Sequence, residues 1–152
     1  MNKLTLPGSI RSKKNSKQII PMPAHKKTSN KHLWSKLGWQ FCYMQIQPSN
    51  AYKKWEKLAQ EYALIQWRAM GHLSPLTGPI KVKMLAYYKG SRPDLSGAME
   101  SVGDCLEGLA WVDDRQIEIW DGESRVIHDL KNPRTEIEIW QIAEVAEHKK
   151  KS

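Results

Sequence analysis

Acidic side chains are absent from the first third of the chain. Residues 1–54 contain no aspartate or glutamate but hold eleven lysines and arginines. Fourteen of the sixteen acids lie in residues 94–147, and the formal net charge is +8. A segment with one sign of charge indicates either contact with a polyanion or a solvated, disordered arm. Because Trp34, Trp39 and other apolar residues interrupt the charges, we favour contact with nucleic-acid phosphates.

Cysteines and long hydrophobic runs are also scarce. Cys42 and Cys105 are the only cysteines, and neither lies in a CxxC or Cys/His spacing. This argues against a disulfide framework and a structural zinc site, and it is typical of reduced thiols in a cytosolic protein. No apolar run approaches the roughly 18 residues of a membrane span, and residues 1–17 have no secretory h-region. We therefore expect a cytoplasmic protein with no membrane partner.

The pattern of apolar residues predicts a mixed α and β fold. A length of 152 residues suits one domain. Helical and alternating periods predict these elements in order: a strand at 3–7, a helix from about Ser49 to Gly71, a strand at 79–88, a helix at 95–109, a β-hairpin of 116–120 with 125–130, and a strand at 135–142. This order predicts an α/β or α+β single domain, with a mixed β-sheet packed against two main helices.

Two parts of the chain lack a clean period. We expect residues 1–145 to form the domain, with an irregular and partly mobile insertion at 23–47. Within that insertion, residues 33–44 are compatible with a helical turn or an edge strand. The basic end of the chain, 146–152, is predicted to be a disordered tail.

Six acids lie within or beside the second predicted helix: Asp94, Glu100, Asp104, Glu107, Asp113 and Asp114. Glu100, Asp104 and Glu107 follow the i, i+4, i+7 spacing of one helical face. Carboxylates about 4 Å apart repel by about 4 kcal/mol at an effective dielectric near 20, so a fold that gathers them usually holds a cation. Mg²⁺ prefers carboxylate oxygens and assists phosphodiester hydrolysis. On spacing alone, a solvated helix face followed by a turn is an equally good interpretation.

The segment from Arg92 to Ile117 resembles the RusA family of crossover-junction (Holliday junction) endodeoxyribonucleases. The matching residues are Asp94, Asp104, Gly108, Asp113, Asp114, Gln116 and Ile117, and weaker likeness extends to 12–15, 52–56 and 132–139. The resemblance implies a bacterial or phage-encoded homodimer that binds four-way DNA junctions. It also implies paired nicks that depend on Mg²⁺, with Mn²⁺ as an alternative ion.

The resemblance also assigns the site residues. The first metal aspartate of the family falls on Asp94, and its carboxylate pair before the strand falls on Asp113 and Asp114. The chain departs from the family at three positions: the second metal aspartate falls on Ser96, an asparagine on Gly97, and the catalytic lysine on Glu100. We favour a rebuilt site in which Glu100 supplies the missing carboxylate oxygen and Ser96 holds a water of the metal.

The predicted catalytic residues are thus Asp94, Glu100 and Asp114, and the predicted metal ligands are these three with Asp113 and Ser96. Asp104 is predicted to support the site, as a salt-bridge partner or a further ligand. Glu107 is expected to be solvated and Trp111 to belong to the core or a dimer interface. The predicted DNA contacts are Lys13, Lys14, Asn15, Lys53, Lys54, Lys131 and Arg134. The alternative function is a non-catalytic protein that binds branched DNA through a degenerate site.

Overall fold

A nine-residue strand, β4 (Ile80–Tyr88), lies at the centre of the sheet. Its buried residues alternate with half-buried ones, as expected for a strand covered mainly on one face. It pairs antiparallel with β7 (Arg134–Gln141), which pairs antiparallel with β1 (Asn2–Pro7). The computed structural model describes residues 1–13, 17–23 and 42–143. The predicted mixed sheet with two helices is confirmed.

The other edge of β4 differs from the prediction. Strands β5 (Ile117–Trp120) and β6 (Arg125–His128) do not form a hairpin; both run parallel to β4, one after the other. The hydroxyl of Ser124 accepts a hydrogen bond from the Met84 N–H at 3.1 Å, so a side chain fills the gap in the ladder. The Asp-Gly sequence at 121–122 therefore interrupts one edge strand and does not reverse the chain.

The first helix, α1 (Asn50–Ala69), covers the core and one sheet edge. Ser49 caps it by accepting a hydrogen bond from the Tyr52 N–H at 3.2 Å. Its buried residues follow the helical period: Tyr52, Trp55, Ala59, Ala63 and Trp67. The Gln66 side chain bonds both the N–H and the C=O of Thr5 at 2.8 Å. This satisfies backbone groups that the edge strand β1 would otherwise leave unpaired.

The second helix, α2 (Leu95–Leu106), connects β4 to β5, which is the crossover that a parallel pair requires. It ends three residues earlier than predicted. Beyond it the chain turns at Gly108, which has a φ of +78° and whose N–H bonds the Trp111 carbonyl at 2.7 Å. Trp111 is fully buried and its indole donates to the Gly103 carbonyl at 3.2 Å. The predicted core position of Trp111 is confirmed.

A two-stranded antiparallel ribbon, β2 (Lys17–Pro23) with β3 (Cys42–Pro48), precedes α1. Residues 42–44 thus form a strand, which is one of the two alternatives for that segment, whereas the irregular structure expected for 45–47 is wrong, because pairing with β2 continues the strand there. The rest of the predicted insertion, 24–41, lies outside the described residues, as does the predicted tail at 146–152. Neither helix within the described ranges is long and apolar enough to cross a lipid bilayer.

Candidate active site

One side of α2 carries carboxylates and the opposite side packs into the core. Ala98, Val102 and Cys105 are fully buried, which fixes the rotation of the helix. Glu100, Asp104 and Glu107 consequently form an outward row, here called the acidic face. The side chain of Glu100 is exposed and makes no hydrogen bond or ion pair with any residue that the structure describes.

Three carboxylates come together at the carboxyl end of α2. One oxygen each of Glu107, Asp113 and Asp114 lies within 4.8 Å of the other two, and we call these residues the triad. The Asp114 backbone N–H donates to Glu107 Oε2 at 3.2 Å. Within 1–13, 17–23 and 42–143, no other group of three His, Cys, Asp or Glu side chains is this close. The triad is therefore the best place in the described chain for a divalent cation.

The electrostatics of the two adjacent aspartates differ. Loss of solvation, followed by the charges of Glu107, Asp113 and Asp104, raises the pKa of Asp114. Hydrogen bonds from the Arg115 side chain and backbone hold the pKa of Asp113 well below its usual range. The negative charge of Asp113 is thus balanced by the guanidinium of Arg115, whereas the negative charge of Asp114 is repelled by the neighbouring carboxylates. A bound cation would relieve that repulsion.

Gln116 holds the loop that carries the two aspartates. Its carbonyl oxygen accepts from the N–H groups of Val112 and Asp113 at 2.8 and 2.9 Å. Its amide nitrogen donates to the carbonyls of Leu76 and Gly78 at 3.0 and 2.8 Å. The side chain therefore bridges two loops, which gives a structural reason for glutamine in the Asp-Asp-x-Gln pattern.

Asp94 lies at the other end of α2. It caps the helix by accepting from the Gly97 N–H at 3.2 Å, and it also accepts from the Ser96 hydroxyl at 2.8 Å. Asp94 Oδ2 is 3.4 Å from a Cβ placed on Gly97, and Asp114 Oδ2 is 3.9 Å from a Cβ placed on Gly103. Those two glycines are six residues apart, or about 9 Å along the helix axis.

The predicted ligands are therefore distributed along one helix. Asp113 and Asp114 are in the triad, Asp94 lies about two turns away, and Glu100 falls between them. Glu107 is predicted from its position to be solvated, yet it is the third member of the triad. Its i+7 spacing from Glu100 is visible in the sequence, but the return of the chain that brings Asp113 and Asp114 to it depends on the turn after α2.

The predicted supporting residue, Asp104, is paired with a predicted DNA contact. Lys13 Nζ is 3.1 Å from Asp104 Oδ2, with side-chain exposures of 45% and 37%. Asp104 thus takes part in a salt bridge, one of its two predicted roles. The neighbouring predicted contacts, Lys14 and Asn15, lie outside the described residues.

The other predicted DNA contacts have different surroundings. Lys53 and Lys54 are exposed in the first turn of α1, and Lys53 Nζ donates to Gln47 Oε1 at 3.1 Å. Lys131 is exposed in the loop before β7. The guanidinium of Arg134 bonds Asp129 at 3.3 Å and Glu136 at 3.1 Å and stacks 3.8 Å from the centre of the Tyr87 ring. Arg134 is therefore largely engaged within the protein.

A model of the endodeoxyribonuclease RusA family matches residues 18–140. The chain belongs to the RusA family. The predicted resemblance is thereby confirmed, and it extends beyond the Asp113–Asp114 segment to β2, both helices and most of β7, while the weaker likeness at 12–15 lies outside the matched residues. RusA is a family of bacterial and phage nucleases. No curated protein matches the chain.

Proposed function

We propose that this protein is a structure-selective, metal-dependent endonuclease that resolves Holliday junctions or related branched DNA in recombination and repair. The observation that carries the proposal is the triad at the end of α2 in a chain that belongs to the RusA family. The net charge of +8 supports binding to a polyanion. Concentrated acids on such a basic protein fit a cation held against a phosphate.

The donor set of the triad fits a hard divalent ion. All three side chains offer carboxylate oxygens, the ligand type that Mg²⁺ prefers, and Mn²⁺ accepts the same set. We assign the ion to Asp113, Asp114 and Glu107. Glu100 lies next to them along α2, whereas Asp94 and the Ser96 hydroxyl bonded to it lie about two turns away and do not share that ion in this arrangement. When bound, such an ion neutralises charge on the phosphate and leaving oxygen and makes water a better nucleophile.

The residues of the chain prepare this site before DNA arrives. The N–H of Asp114 fixes the Glu107 carboxylate, and Gln116 fixes the backbone of Asp113. The exposed Lys53 and Lys54 of α1 would hold the DNA backbone, since each phosphate contact adds affinity that does not depend on sequence. Binding and cleavage would therefore use separate groups of residues.

A homodimer would account for paired nicks, because two copies present two sites to the two strands of a junction. Leu58, Tyr62 and Ile65 are exposed on α1 at the i, i+4, i+7 spacing of one stripe. An apolar stripe of this kind supports an interface with a second copy. We propose a cytoplasmic homodimer whose partner is branched DNA.

The rival function is binding of branched DNA without cleavage. It is favoured by Arg115, which binds both oxygens of Asp113 and so competes with a metal ion. The rival is also favoured by Ser96 and Glu100, which replace the second metal aspartate and the catalytic lysine that the family pattern has.

The test is cleavage of a labelled four-way junction in Mg²⁺, with a linear duplex of the same sequence beside it. Asp114→Asn should abolish paired nicks, because it removes the charge of the central triad member. Glu118→Gln is the matched control, since this exposed acid lies on β5 and is not a member of the triad. Tight junction binding without nicks by the wild type would establish the rival, and equal affinity for both DNAs would contradict both functions.

A further inference from the structure

The loop before β2 is fastened across the amino-terminal half of α2. Near its start, Ser9 Oγ accepts from the Lys89 N–H at 2.7 Å. Further along, at the last described residue before β2, the Lys13 N–H donates to Ser101 Oγ at 3.1 Å. Ser101 is fully buried and its hydroxyl donates to the Gly97 carbonyl at 3.0 Å. The backbone of Lys13 is therefore held against the helix at a defined point.

A glycine in α2 creates the space for this loop. A Cβ placed on Gly97 would lie 2.4 Å from Ser12 Oγ and 3.1 Å from Ser12 Cβ. Glycine inside a helix costs about 1 kcal/mol relative to alanine. At this position the cost permits a close approach that no other residue type allows.

The side chain of Lys13 ends beside Asp104, which lies one helical turn before Glu107 of the triad. Its ammonium lies 3.1 Å from Asp104, whose charge contributes to the raised pKa of Asp114. The pair is about two-fifths exposed, so it adds little to stability and remains accessible to a ligand. An ammonium has three donors, and Asp104 uses one of them.

The balance of charges around the triad is consistent with a further role for the Lys13 ammonium. The triad and Asp104 carry four negative charges, and Lys13 and Arg115 carry two positive charges, which leaves the two that one divalent cation balances. A phosphodiester then brings a further negative charge. The Arg115 fork is already directed at Asp113, whereas Lys13 keeps donors available.

We infer that Lys13 is a catalytic residue that binds a non-bridging oxygen of the phosphate being cleaved. The inference rests on the proposed nuclease function and deepens it. The resemblance places a catalytic lysine in α2, where this chain has Glu100. The inference assigns that positive charge to Lys13 in the amino-terminal loop. Asp104 positions the ammonium, and Gly97 positions the loop.

The experiment separates cleavage from binding. Single-turnover cleavage of a four-way junction is measured with saturating protein, and junction affinity is measured in EDTA. Lys13→Met should lower the cleavage rate at saturation by about 100-fold, the order seen when one preorganised donor to a transition state is removed. Lys13→Arg, which keeps the charge, should recover a substantial part of the rate.

Lys3→Met controls for loss of a lysine from an exposed position on β1. A second readout needs no turnover: because Lys13→Met removes a positive charge beside the triad, it should tighten Mn²⁺ binding, and Lys13→Arg should not.

If the wild type cleaves and Lys13→Met cleaves equally fast at saturation, the inference is overturned and the nuclease function stands. If the wild type binds junctions but never cleaves them, both fail. Unchanged Mn²⁺ affinity in Lys13→Met would also overturn the placement of this ammonium beside the metal.

Discussion

The backbone N–H of Asp114 donates to the carboxylate of Glu107 at 3.2 Å, across the turn that follows α2. This bond ties the end of the helix to the start of the 3₁₀ turn at Asp114–Gln116. It satisfies one oxygen of Glu107 while the Asp114 side chain stays beside the same carboxylate. The chain thus holds like charges together with backbone geometry, and a cation is the component that would make the arrangement favourable.

The first prediction concerns Asp114→Asn in the absence of metal. Since the pKa of Asp114 is raised, the folded state disfavours its ionised form at neutral pH. The variant should therefore unfold at a slightly higher temperature than the wild type in EDTA. Mg²⁺ or Mn²⁺ should raise the melting temperature of the wild type and have little effect on the variant. Equal metal-induced shifts in both proteins would contradict a role for Asp114 as a ligand.

The second prediction concerns pH. The pKa of the Asp114 carboxyl is higher in the folded state than in the unfolded state. Between these two pKa values the folded state binds more protons, so the contribution of Asp114 to stability falls as the pH rises through that interval. A metal ion binds the ionised form of Asp114. On acidification the metal should therefore be lost at a higher pH than it would be if Asp114 had the ordinary aspartate pKa of 3.8.

Mn²⁺ binding measured between about pH 4 and about pH 7 tests this dependence. Asp113→Asn is the matched comparison, because the pKa of Asp113 is lowered and that group stays ionised throughout the range. The comparison variant should weaken binding and move the pH midpoint down only in part, because the charge of Asp113 is one of several causes of the raised pKa of Asp114. If Asp113→Asn moved the pH midpoint of Mn²⁺ binding and Asp114→Asn did not, Asp113 would be the group that controls the pH dependence, and the assignment to Asp114 would be wrong.

The third prediction concerns the bridge made by Gln116. Gln116→Leu removes four hydrogen bonds between two loops, each with a net value of about 1 kcal/mol, and partial exposure reduces the total. We expect a loss of about 2–3 kcal/mol in the free energy of unfolding, measured in urea, and weaker Mn²⁺ binding.

Gln116→Glu serves as the partial change. A glutamate still accepts from the N–H groups of Val112 and Asp113 but cannot donate to the carbonyls of Leu76 and Gly78. It should fall between the wild type and the leucine variant in stability. A leucine variant as stable as the wild type would show that the two loops hold their positions without the bridge.

Local patterns were sufficient to predict the two helices and the central strand. The buried residues of α1 and the alternation of β4 repeat at the periods of their elements. The Asp113–Asp114 pair could be located as well, because its pattern with Gln116 is short and contiguous. These features depend on neighbours within one element or one turn.

The features that could not be predicted depend on distant pairing. The sequence around Asp121 and Gly122 carries the same turn signal in a hairpin and in an interrupted edge strand. Only the ladder with β4, about forty residues earlier, decides between them. Glu107 likewise joins the triad because the chain turns back after Gly108. The ion pair of Lys13 with Asp104 spans 91 residues and has no local signal.

The fourth prediction compares two glycines of α2. Alanine at either position should gain about 1 kcal/mol of helix propensity. At Gly103 a Cβ would meet Asp114 at 3.7 Å, an ordinary contact, so Gly103→Ala should stabilise the protein. At Gly97 the new Cβ would lie 2.4 Å from Ser12 Oγ, so Gly97→Ala should displace the loop, lose the gain, and slow junction cleavage.

A double variant distinguishes loop displacement from damage to the helix. Ser12→Gly removes the two atoms closest to the new methyl group and leaves Asp94 Oδ2 at 3.4 Å, which is an ordinary contact. Adding Gly97→Ala to Ser12→Gly should therefore cost no stability and should restore the helix gain relative to the single Ser12→Gly variant. If Gly97→Ala destabilises both backgrounds equally in urea unfolding, the contact with Ser12 is not the reason that glycine is needed, and the docking of Lys13 would have another cause.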